Sequence, residues 1–129
     1  MEMSFSQFMH FSVTTFGNEE HDCYKGKCLP ASDFAPTDVD TDQWVQTAVA
    51  GGAGEICLTA HHEGGFALWP TKNDYNYTVA FSPWGKDILR PFVESCKKYG
   101  VRICYYISPS ANGYLTQAAK LNATEFVKL

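Results

Sequence analysis

The stretch EICLTAHHEGG, Glu55 to Gly65, decides how the chain is read. Its first six residues, Glu55 to Ala60, form an apolar run of strand length without in–out alternation. That pattern suits a strand buried on both faces, as in a parallel sheet. The run ends directly in His61-His62-Glu63-Gly64-Gly65, where hydrogen-bonding side chains and glycines replace apolar ones. A strand that stops in this way has the form of the functional end of a βα unit.

On the N-terminal side, Trp44, Val45, Ala48 and Val49 recur at helical spacing, with Asp40 or Thr41 as N-cap and Gly51-Gly52 as the stop. Before that helix, Thr14 to Thr37 is punctuated by Gly17, Gly26, Pro30 and Pro36 and reads as a surface loop. Gln7 to Val13, QFMHFSV, suits a short buried strand that carries His10. On the C-terminal side a second loop, Phe66 to Gly85, leads to a helix from Asp87 to Tyr99. Ile88, Leu89, Phe92, Val93, Cys96 and Tyr99 share one of its faces and Gly100 caps it. Pro91 lies early enough in that helix to be tolerated. Val101 to Pro109 is the third strand, followed by the polar residues Ser110 and Asn112, and Leu115 to Lys128 reads as a last helix.

Strands and helices that alternate in this way predict an α/β fold, a parallel sheet covered by helices. No G-x-G-x-x-G or G-K-[ST] loop follows a strand, which disfavours a nucleotide-binding doubly wound sheet. The other common solution is a (β/α)8 barrel, with the C-terminal ends of all strands facing one site. His10, the His61/His62/Glu63 cluster and Tyr105/Tyr106 all fall at or near such ends. A barrel of this kind needs about 250 residues. Residues 1–129 are therefore expected to be the first three βα units of a partial TIM-like barrel, an incomplete domain.

Composition excludes other classes. The 129 residues are 45% hydrophobic, with 10 Lys+Arg against 14 Asp+Glu, a net charge of -4 and no basic run, so no nucleic-acid partner is expected. No window reaches the roughly 18 apolar residues of a membrane helix. The start, MEMSFSQFMHFSV, lacks the basic-then-apolar order of a signal peptide. Of five cysteines, Cys23 and Cys28 are spaced for a local disulfide, whereas Cys57, Cys96 and Cys104 read as small buried hydrophobes. Two sequons, Asn76-Tyr77-Thr78 and Asn122-Ala123-Thr124, add to that pair in favouring a secreted or lumenal origin.

Polar and aromatic groups converging from several strand ends make a sugar site: His and Glu bond hydroxyls, and aromatic faces cover the C–H patches of the ring. Tyr105 and Tyr106 point to opposite faces of their strand, so one packs and the other enters the barrel. Trp44, Trp69 and Trp84 read as core or loop anchors. Glu19-Glu20 and Asp22 read by default as a solvated loop face. Glycoside hydrolysis needs two carboxylates, and the strand ends offer Glu63 without a clear second. A rival is zinc held by His21, Cys23 and Cys28 with histidines from the strands, but Cys-x4-Cys is poor ligand spacing and no second pair exists.

The residues MHFSVTTF (Met9 to Phe16), DTDQWV (Asp40 to Val45), LTAHHEGGFALWP (Leu58 to Pro70), SPW (Ser82 to Trp84) and YISP (Tyr106 to Pro109) follow an order and spacing that resembles the alpha-L-fucosidases of glycoside hydrolase family 29. The likeness runs over essentially the whole chain. It implies a retaining exo-glycosidase with a (β/α)8-like barrel that releases terminal alpha-L-fucose from glycans or glycoconjugates, with an Asp nucleophile, a Glu acid/base and no metal or cofactor. By resemblance His10 is the sugar-binding His after the first strand, Glu20 the Glu of an E-E-W/H-G loop, and Tyr106 the Tyr of Y-x-S-P/G. The common form of the second cluster is L-T-A-K-H-H-D-G-F-C-L-W. Aligned without a gap, His61 takes the Lys, His62 the first His, Glu63 the second and Gly64 the Asp. The resemblance thus implies substrate binding by His10, Glu20, His62, Glu63 and Tyr106. It places both catalytic carboxylates after Leu129, so this chain carries no catalytic residue of its own. The alternative is a truncated product that binds fucose without hydrolysing it, or a decayed copy.

Overall fold

The computed structural model describes residues 5–17, 23, 28–109 and 111–118. Three parallel strands, β1 (Ser6–Met9), β2 (Glu55–His61) and β3 (Arg102–Ile107), form one sheet in the order β1-β2-β3. Each crossover carries a helix, α1 (Thr41–Ala50) between β1 and β2 and α2 (Leu89–Tyr99) between β2 and β3. The α/β alternation and the parallel sheet agree with the sequence reading.

Helix α1 begins where Asp40 Oδ1 accepts the Gln43 N–H at 2.9 Å, which satisfies an amide that has no partner inside the helix. Helix α2 ends at Gly100, whose φ of 68° lies in the left-handed region that side chains resist. The two helices lie side by side, joined by a polar seam. Thr41 and Ser95 hydroxyls are 2.9 Å apart, Ser95 donates to Asp42 at 2.6 Å, and Lys98 pairs with Asp42 at 2.5 Å. The Lys98 ammonium and the Ser95 hydroxyl hold the Asp42 carboxyl below its ordinary range.

Central strand β2 is buried from Ile56 to Ala60 and half-buried at its two ends. Ile56, Leu58 and Ala60 have no exposure, and Ile56 and Leu58 share a core with Val45 and Ala48 of α1 and Phe92 and Cys96 of α2. Truncating such a side chain to Ala costs about 2–5 kcal/mol, because the cavity left behind relaxes only partly. On the opposite face Phe8, Cys57 and Cys104 stand in register across the three strands.

The structure corrects several expectations. The first strand spans Ser6–Met9 rather than Gln7 to Val13, and Val13–Phe16 is a 3-10 turn. β1 lies at the sheet edge, and the chain leaves it where the Ser12 amide bonds the Thr15 hydroxyl at 3.2 Å. Nor is β1 buried: Phe8 is 50% exposed and His10 is exposed as well. The expected surface loop before α1 supplies core, because Phe34 is wholly buried against the rings of Phe11, Phe16 and Phe66. Cys57 and Cys104 are joined as a disulfide, since in-register positions on adjacent strands bring their Cα atoms to 4.1 Å; only Cys96 is a free buried thiol. Cys23 and Cys28 are joined, as their spacing allowed. The last helix is described only from Tyr114 to Ala118, where it takes a π turn.

Candidate functional site

At the C-terminal ends of the strands four side chains meet on the face opposite the helices. Phe8 projects from β1, and His10 follows two residues later with its ring 4.8 Å from that of Phe8. His62, just past β2, lies with its ring 5.4 Å from His10 and 5.6 Å from Tyr106 of β3. Phe8 and Tyr106 close the circuit edge to face at 5.7 Å. The juxtaposition follows from register: Phe8 pairs with Cys57, and Thr59 with Tyr106, so side chains of like parity emerge on one face. Tyr105 turns the other way, beside Phe92 with its hydroxyl donating to the Leu89 carbonyl at 2.8 Å. Burial pushes the Tyr105 phenol up to about 12.

The adjacent histidines separate. His62 joins the open cluster, whereas His61 turns toward Trp69 and Tyr75 and has its Nε2 3.3 Å from the Asn112 amide nitrogen. A bulge between Thr59 and His61 in the pairing of β2 with β3 accompanies this separation.

The turn carrying His62 and Glu63 is pinned from behind. Gly113 N–H donates to the Glu63 carbonyl at 2.6 Å and Tyr114 N–H to the Gly64 carbonyl at 3.0 Å. The Tyr75 hydroxyl donates to the Gly65 carbonyl and accepts from Asn112 Nδ2 at 2.9 Å. Asn112 Oδ1 in turn accepts the Leu115 N–H at 3.0 Å. Burial raises the Tyr75 phenol to about 12, so it stays a neutral donor through the physiological range. Gly65 is obligatory on two counts: its φ is 97°, and a Cβ there would lie 2.3 Å from Asn112 Oδ1.

Of the residues expected to bind substrate, His10, His62 and Tyr106 are brought together, and Glu63 sits beside His62 in the pinned turn. Glu20 lies outside the described residues. Three contributors lie outside the set expected to bind substrate. Phe8 was signalled by its place two residues before His10 on the same strand face. Asn112 was marked only as a polar residue after the third strand, and its pairing with Tyr75, which spans 37 residues, left no local signal. The zinc reading loses its thiolates, because Cys23 and Cys28 are bonded to each other. Among the described residues no three His, Cys, Asp or Glu side chains gather as a metal site, and no helix is long and apolar enough to cross a membrane.

The architecture and sequence match known proteins over most of the chain. An alpha-L-fucosidase from Arabidopsis thaliana is 36% identical over 109 residues, 82% of this chain and 21% of its own length. A relative from Oryza sativa subsp. japonica, provisionally named alpha-L-fucosidase 1, is 38% identical over 105 residues, 79% of this chain and 20% of its own. The chain thus spans about a fifth of the length of these relatives. Among solved structures, a glycoside hydrolase 29 family member from an unknown rumen bacterium superposes with a TM-score of 0.75 at 31% identity, over 84% of this chain and 20% of that one. The family model for alpha-L-fucosidase matches residues 1–126. With the family model, the sequence matches and the superposed fold in agreement, the chain belongs to the alpha-L-fucosidase family.

Proposed function

We propose that residues 1–129 are the first three βα units of a (β/α)8-like catalytic barrel, and that the whole protein is a retaining alpha-L-fucosidase releasing terminal fucose from glycans or glycoconjugates. The observation that carries this reading is the convergence of His10, His62 and Tyr106 from the C-terminal ends of three adjacent parallel strands. That is the end at which barrels of this type bind substrate. A bacterial fucosidase solved with an iminocyclitol inhibitor, 26% identical with a TM-score of 0.63, supports the same assignment.

In this reading the imidazoles of His10 and His62 and the Tyr106 hydroxyl bond the fucose hydroxyls. The rings of Phe8 and Tyr106 cover its apolar edge. Glu63 and Glu20 complete the grip on the sugar. The pinned turn behind His62 fixes that ring before substrate arrives, which lowers the ordering cost of binding. Hydrolysis is completed by carboxylates from later strands: an Asp attacks the anomeric carbon, and a Glu protonates the leaving oxygen and then activates water. Both disulfides suit an oxidising, secreted or lumenal compartment.

The test is to incubate the full-length protein with a chromogenic alpha-L-fucoside and follow the anomer of the first sugar released by proton NMR. Release of alpha-L-fucose supports the reading. Release of the beta anomer contradicts retention, and no turnover by folded, full-length protein contradicts the enzyme assignment.

A further inference from the structure

Away from the strand ends, Asn76 lies exposed on the rim of an open groove of about 390 Å³. Pro30, Ser32, Tyr114 and Phe81 line that groove, and Phe81 is 61% exposed. Asn76 opens the triplet Asn76-Tyr77-Thr78, an acceptor sequence for N-linked sugar. The Tyr114 hydroxyl donates to Asn76 Oδ1 at 2.7 Å, so the amide is held by its oxygen, and its nitrogen is the atom that bears an N-linked glycan. The Tyr77 ring, stacked on Tyr114 at 4.3 Å, stiffens the base beneath it.

We propose that Asn76 is an N-glycosylation site whose first N-acetylglucosamine seats in this groove against Phe81. The inference is independent of the catalytic reading and rests on the groove, the held amide and the disulfide chemistry. In the transfer, Asn76 Nδ2 attacks the anomeric carbon of a lipid-pyrophosphate-linked oligosaccharide. The new N–C bond replaces the C–O bond to the pyrophosphate, which leaves as the lipid pyrophosphate while the amide gives up one proton. Transfer precedes closure of this segment, because in the folded chain Thr78 is fully buried and its hydroxyl accepts the Ala80 N–H at 3.1 Å. The same secretory compartment that supplies the donor permits the Cys23–Cys28 bond, and Cys28 lines the groove. Once attached, the pyranose C–H face and the acetyl methyl cover the otherwise exposed Phe81 ring.

The experiment uses the full-length protein secreted from eukaryotic cells. Peptide mapping after treatment with peptide N-glycosidase should find Asn76 converted to Asp, and Asn76→Gln should remove that glycan while the protein is still secreted. On the native protein, Phe81→Ser should leave occupancy intact and raise the rate of enzymatic deglycosylation about fivefold, the equivalent of about 1 kcal/mol of lost ring contact. An unmodified Asn76 in secreted protein whose Cys23–Cys28 bond is oxidised overturns the site. Equal deglycosylation rates for Phe81→Ser and the parent overturn the seating in the groove.

Discussion

The two faces of the sheet are built on opposite terms. Toward the helices, Ile56, Leu58, Val45, Phe92 and Cys96 have no exposure, and the seam through Thr41, Asp42, Ser95 and Lys98 aligns α1 with α2. On the other face the strand ends present Phe8, His10, His62 and Tyr106, with Phe8 half exposed and His10 exposed. One face has spent its apolar side chains on a core, while the other leaves rings and hydrogen-bonding groups exposed or half-buried at the strand ends. The face that holds the fold together is therefore separable, residue by residue, from the face proposed to recognise the sugar.

That separation is broken most sharply by substitution on each face in turn. Phe92→Ala, on the closed face, should lower unfolding free energy by about 3–5 kcal/mol in a urea titration while the folded fraction binds fucose as before. His62→Ala, on the open face, should change stability by less than about 1 kcal/mol yet weaken fucose binding at least about tenfold in calorimetry. If both substitutions moved stability and binding together, the two faces would not be independent.

The anchored turn sharpens the comparison, because it belongs to the open face but is rigid. Gly65→Ala forces a side chain into left-handed backbone and against Asn112, and should cost about 2–3 kcal/mol. It should also raise KM for a fucoside. Asn112→Ala removes the bond to Tyr75 and leaves the Leu115 amide without its partner. It should cost less, about 1–2 kcal/mol, with a smaller rise in KM. A Gly65→Ala protein with unchanged melting temperature would show that the turn has room the geometry denies it.

Alkaline pH produces a graded effect. Burial raises the Cys96 thiol from 9.0 to about 11 and the Tyr75 and Tyr105 phenols from 10.0 to about 12. Below pH 9 all three are neutral in both folded and unfolded chain, so their contribution is fully present. As pH rises from there toward 12 the unfolded chain ionises first, and stability falls. A urea midpoint that declines above about pH 9 matches this order, and Cys96→Ala should delay its onset. The smallest effect belongs to the exposed Lys98–Asp42 pair, where Lys98→Ala should leave the melting temperature nearly unchanged.

Much of the helix-covered face was legible in the sequence because its signals are local. The Val45/Ala48 spacing, the Asp40 cap and the Gly100 stop each act within one or two turns, and the observed helices fall within two residues of the expected limits. β2 was legible because a run buried on both faces has no alternation to confuse it. β1 was over-extended because QFMHFSV stays apolar after the ladder ends, and only the Ser12–Thr15 turn marks the exit. Phe34 was missed because Pro30 and Pro36 around it signal a loop and say nothing of burial. The Cys57–Cys104 bond needed the register of strands 47 residues apart. At the strand ends, His10, His62 and Tyr106 were singled out from their positions and from family resemblance, and the structure brings their rings together. The divergence of His61 from His62 was not legible, because a bulge in the ladder accompanies it.

The most direct measurement is a crystal structure of the full-length protein with L-fucose bound. The sugar should lie within hydrogen-bond reach of His10, His62 and Tyr106, with its apolar edge over Phe8 and the later-strand carboxylates flanking its anomeric carbon. Fucose bound elsewhere, with these four side chains facing solvent or sealed in a dry core, would contradict the assignment of the open face to recognition.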